Sequence, residues 1–116
     1  MTALGLRPGD AKILRNAGGR VTDDVIRSLA VAVALLGVER IAVMHHTSCA
    51  MAGRTDEQLR AAGVPGDTWL GAMPDPVAAL AEDVDALRRS SLIPAGVAVA
   101  GWVYDVHDGL IRPTDV

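Results

Sequence analysis

Between Val25 and His46 the chain reads VIRSLAVAVALLGVERIAVMHH, a run that few folds can accommodate. Thr22 is a plausible N-cap, and Asp23 and Asp24 put negative charge in the first turn, against the helix dipole. Val25, Ile26, Leu29 and Val33 form one stripe of the helix that follows, while Ala30, Val31, Ala34 and Leu35 fill others. A helix apolar on most faces is expected to be buried on most faces, in a core or in a subunit interface. Gly37 ends it, and ERIAVMHH reads as a strand whose unbroken apolar run suits a parallel sheet covered on both sides. Upstream, Ala11 to Arg15 reads as a short strand stopped by Asn16 and the Gly18–Gly19 pair. Strand, helix and strand in this spacing make a βαβ unit, so the fold class is α/β.

The remainder alternates in the same way. Thr55 to Ala62 is expected to be a short helix, broken by Gly63, Pro65 and Gly66. GDTWLGAMPD is a loop, and Pro76 sits early in a helix where Val77, Leu80, Ala81, Val84 and Leu87 recur at helical spacing. Glu82, Asp83, Asp85, Arg88 and Arg89 fall between them, which predicts an amphipathic surface helix. Val97 to Asp105 reads as a strand, HDG as a turn and Leu110 to Arg112 as a short return strand. With 116 residues and no repeat or linker, residues 1–116 form a single domain.

Composition narrows the partners. With no Phe, the core must be built from Val, Leu, Ile, Ala and Met. A formal net charge of -3 with scattered arginines leaves no basic footprint for nucleic acid. One cysteine cannot form an internal disulfide, no run approaches a membrane span, and the first ten residues lack a signal peptide's pattern. A cytoplasmic protein is the expectation, with no membrane partner.

In an open parallel sheet ligands bind beyond the carboxyl ends of strands, where NAGG and HHTSCAMAG lie. His46 and Cys49 are residue types that zinc prefers, and their spacing lets both turn back to one point as the strand ends. A helix beginning near Cys49 would favour its thiolate. The same residues also read as a buried small hydrophobe and a hydrogen-bonded surface histidine, because a catalytic zinc takes three protein ligands. His45 points to the opposite face of the strand, a poor place for a third ligand. Trp69 and Trp102 read as core packing ahead of pocket or interface.

The segment GDAKILRNAGGRVTDDVIRSLAVAVALLGVERIAVMHHTSCAM, with the closing GWVYDVHDGLI, resembles the β-class carbonic anhydrases. R-N-A-G after a strand, an acidic-capped helix carrying R-S-L and a later H-x-x-C stand here in that family's order. The resemblance implies a parallel-sheet β-carbonic-anhydrase-like fold with flanking helices. It also implies a Zn²⁺ cofactor held by His46, Cys49 and a further cysteine from a C-x-D-x-R segment. Zinc-bound hydroxide would hydrate CO2 to bicarbonate. Ala50 stands where the family has Gly, and its backbone N–H would still reach substrate. Asn16, Gly18 and Gly19 resemble the family's pocket-flanking loop, although a Gly pair is equally ordinary turn chemistry.

Nothing before Gly9 resembles C-x-D-x-R, so the family's first central strand is expected to be missing. The domain then reads as N-terminally truncated, with Met1 an internal methionine and two hydrophobic strand edges left unpaired. Three functions compete. The first is a zinc carbonic anhydrase working as a homodimer or homotetramer on CO2 and bicarbonate. The second is a catalytically impaired relative that binds an anion or a protein. The third treats Cys49 as a redox-sensing thiol.

Overall fold

A computed structural model describes residues 4–116; the expectation about Met1 lies outside them. Helix α1 spans Asp23–Leu36, strand β1 Arg40–His46, α2 Asp56–Ala61, α3 Pro76–Arg89, β2 Ala98–Tyr104 and β3 Ile111–Pro113. The local signals act as read. Thr22 accepts from the Val25 N–H, and Gly37 closes α1 at φ 70°, where a side chain would be strained. Thr55 and Gln58 form a reciprocal capping box on α2. Asp75 caps α3, with Pro76 in its first turn.

The sheet is three-stranded in the order β1–β2–β3. β1 and β2 run parallel, with Met44 opposite Trp102 and His46 opposite Tyr104, and β3 returns antiparallel to β2. Ile41, Val43 and Val99 on the sheet meet Leu80, Val84, Leu87 and Ile93 in the core. Gly101 lets β2 pass close to its cover: a Cβ there would meet Val116 Cγ2 at 2.6 Å.

Four readings need correction. Ala11 to Arg15 is exposed and is not a strand: its edge is unpaired, as expected, and it pairs with nothing among the described residues. An extended segment becomes a strand only by finding a ladder, and a cleft of about 1390 Å³ lies between it and β1. The completed βαβ unit is therefore β1, α3 and β2. Second, β1 is covered on one face only: Ile41, Val43 and His45 are buried, while Arg40, Ala42 and His46 are exposed. Third, of the two covers expected for α1, core or subunit interface, this chain's own core supplies little: only Ala32 is fully buried, and Leu35 is 77% and Leu36 65% exposed. Fourth, α3 buries Leu80, Val84 and Leu87 as expected but departs at two positions. Val77 is exposed, and Asp83 lies in the buried stripe with Ala79, Leu80, Val84 and Leu87.

Candidate functional site

β1 delivers its last two side chains to opposite faces, as a strand must. His46 emerges into solvent, and its Nδ1 lies 2.8 Å from the Thr47 carbonyl oxygen. A carbonyl only accepts, so Nδ1 carries the proton and Nε2 keeps its lone pair when the ring is neutral. Ser48 then turns the chain at φ 55°, the one left-handed non-glycine residue among those described. Half-buried Cys49 follows, and Ala50 is exposed beside it.

Two structures hold this turn. On one side the β2–β3 hairpin supplies three contacts: the Thr47 N–H donates to the Tyr104 carbonyl at 2.9 Å, the Val106 N–H to Thr47 Oγ1 at 3.0 Å, and Ser48 Oγ lies 3.1 Å from His107 Nε2. On the other, Met73 and Met51 pair backbone to backbone at 2.8 Å, and the Gly53 N–H reaches the Met73 carbonyl at 2.7 Å.

The loop carrying Met73 is tied in turn to a buried ionic cluster that the sequence did not disclose. Arg20 is 5% exposed and grips Asp83 through Nε at 2.8 Å and Nη2 at 3.2 Å. Its Nη1 donates to the Gly71 carbonyl at 3.1 Å, and its guanidinium carbon sits 5.0 Å from the centre of the Trp69 ring. His45 Nε2 approaches the same Asp83 Oδ2 at 3.2 Å and must donate, because an ionised carboxylate can only accept. Burial by itself would raise the Asp83 carboxyl, but the hydrogen bonds from His45 and Arg20 and the Arg20 charge outweigh it and hold it below its ordinary value. Asp56 works similarly at the surface: it accepts from the Leu70 and Ala72 N–H groups, which hold its carboxyl down and fix the same loop. The signal for Asp83 was its register on the apolar stripe of α3, three residues after Leu80 and four before Leu87.

Asn16 closes the NAGG turn, donating to the Arg20 carbonyl at 2.7 Å and accepting from its N–H at 2.8 Å. Gly18 and Gly19 both have positive φ. A Cβ on Gly19 would stand 2.9 Å from the Met44 carbonyl oxygen and 3.3 Å from the His45 ring, so glycine here lets the turn lie against β1. Trp69 is 54% exposed, not core as expected, because the Arg20 side chain takes one face and the loop leaves the other to solvent.

His46 and Cys49 are nitrogen and sulfur donors of the kinds zinc prefers, and the His46 tautomer leaves the Nε2 lone pair unprotonated. They fit zinc in kind and not in number: among the described residues no group of three His, Cys, Asp or Glu side chains could hold a metal ion.

The model of the carbonic anhydrase family matches residues 1–94. The β-carbonic anhydrase 1 of Mycobacterium tuberculosis is 37% identical over 94% of this chain and 70% of its own length. The chain belongs to the β-carbonic anhydrase family. A carbon disulfide hydrolase of Acidithiobacillus thiooxidans is similarly related, 34% identical over 96% of this chain and 68% of its own. Among solved structures, a carbonic anhydrase from Streptococcus mutans superposes with a TM-score of 0.88, at 45% identity over 98% of this chain and 72% of that one. The α/β fold expected from the resemblance is thus the fold of the family.

Proposed function

We propose that the protein is a carbonic anhydrase interconverting CO2 and bicarbonate, with His46 and Cys49 as two protein ligands of a zinc ion. The observation that carries this is the His46 ring, whose Nδ1–H is spent on the Thr47 carbonyl and whose Nε2 is left free on an exposed strand end. When bound, zinc supplies a Lewis acid that brings a water's pKa near neutrality. The third ligand is assigned to a partner chain, since Met1, Thr2 and Ala3, the residues outside those described, carry no His, Cys, Asp or Glu. Ala50, Asn16, Gly18 and Gly19 flank the substrate pocket in this reading, with the Ala50 backbone N–H facing substrate. The uncovered apolar side of α1, at Val31, Leu35 and Leu36, supports a homodimer or homotetramer. The lone unpaired thiol suits a reducing, cytoplasmic compartment.

A second reading is a catalytically impaired relative that binds an anion or a protein, favoured by the two-donor set among the described residues. Zinc content of the purified chain, beside His46→Ala, separates them. About one zinc per chain, lost in the variant, is the expected result. Zinc-free wild type would leave the impaired relative. The loaded protein should then be offered CO2 and carbon disulfide side by side, since relatives named for carbonic anhydrase and for carbon disulfide hydrolase are 37% and 34% identical to it.

A further inference from the structure

Ser48 stands between the two proposed ligands in a backbone conformation that side chains avoid, so something must hold it there. Its own turn offers little: the backbone bonds nearby belong to Thr47 on one side and to Ala52, which reaches the Cys49 carbonyl, on the other. The Ser48 side chain has one partner, His107 Nε2 at 3.1 Å, reaching across from a hairpin 59 residues later in the chain. That hairpin is itself braced. The His107 N–H donates to Asp105 Oδ1 at 2.8 Å, the Gly109 N–H to the Asp105 carbonyl at 2.8 Å, and Arg112 pairs with Asp105 and Asp108. The Val106 N–H on Thr47 Oγ1 adds a second grip one residue away.

We infer that His107 is a positioning residue for Cys49: by holding Ser48 left-handed, it sets the turn on which the thiol is carried. That Cys49 is a metal donor rests on the function proposed above, whereas the hold on its turn does not. The clamp makes no demand on the protonation of His107, because a serine hydroxyl both donates and accepts.

The test uses the whole chain, metal-free, and Ellman's reagent as probe; the single cysteine makes the signal unambiguous. Releasing Ser48 in His107→Ala should speed modification of the half-buried thiol by about five-fold. His107→Gln, which keeps a hydrogen-bonding group at similar reach, should restore most of the wild-type rate. The decisive variant is Ser48→Gly, because glycine takes a positive φ without help. On that background His107→Ala should change the rate by less than about two-fold. Ser48→Gly by itself should keep close to the wild-type rate, whereas a turn merely untied from the hairpin would be speeded by Ser48→Gly as much as by His107→Ala. An unchanged rate in His107→Ala, or the same acceleration with Gly at position 48, would overturn the inference. Zinc content of wild type is read separately: a zinc-free chain showing the expected thiol pattern removes the metal reading and keeps the clamp, and a zinc-loaded chain without the pattern does the reverse.

Discussion

The two edges of β1 have opposite fates. Toward β2, every residue from Arg40 to His46 has a ladder partner, α3 covers the buried face, and Arg20, Asp83 and His45 interlock beneath it. Toward residues 11–16 the backbone of β1 faces a cleft, and Ile13 and Leu14 run beside it 45% and 37% exposed. The residue types on the two sides are alike. What differs is whether a partner is present, and the difference teaches that strand-forming sequence stabilises nothing until its hydrogen bonds and side chains are met. The candidate site sits at the end of this boundary strand. Cys49 is therefore held by the finished half of the molecule while the space beside β1 stays open.

The sharpest way to break the contrast is on the closed side. Asp83→Ala strands the Arg20 charge and one His45 nitrogen in a dry interior, and should cost about 3 to 5 kcal/mol in urea denaturation. Retention of stability within about 1 kcal/mol would mean that water already reaches the cluster. The wild type carries a related pH dependence. Because the folded state depresses the Asp83 carboxyl, its contribution is present above the ordinary carboxylate value of 3.8 and is lost as pH falls below it through the folded value. Acid unfolding of wild type should therefore flatten in that window in Asp83→Asn.

Gly19→Ala probes the junction of the two halves. The substitution strains a φ of 64° and pushes a methyl to 2.9 Å from the Met44 carbonyl oxygen, so a loss of about 2 to 3 kcal/mol is expected. A thermal melt that does not move would show that the NAGG turn lifts off β1 without penalty. The smallest effect belongs to the open side: Ile13→Ala should stay within about 0.5 kcal/mol for the chain by itself. A larger loss in the assembled protein than in dilute chain would sharpen the comparison, because it would mean that another segment or chain fills the cleft against Ile13.

This contrast also divides what was legible in the sequence. Caps and periods are local, so Thr22, Gly37, Thr55 and Pro76 marked their helices, and β1, β2 and the return strand stood near their expected places. The H-x-x-C placement at the end of β1 was legible for the same reason. Ala11 to Arg15 had the right residues for a strand, but pairing is a property of two segments, and no described segment meets it across a ladder. At Asp83 charge argues for the surface and register for the core, and the partners that decide it, Arg20 and His45, lie 63 and 38 residues away. His107 had no signal at all, since its contact with Ser48 exists only once β1 and β2 are parallel neighbours.

The stacking of Arg20 on Trp69 gives the closed half its own optical probe. The chain has two tryptophans, and Trp102 sits in the sheet while Trp69 lies at the surface with a buried, ion-paired guanidinium against one face. Indole emission responds to nearby charge and to solvent, so with Trp102 replaced by Phe the remaining emission from Trp69 reads out whether Arg20 is seated, without a label and without a substrate.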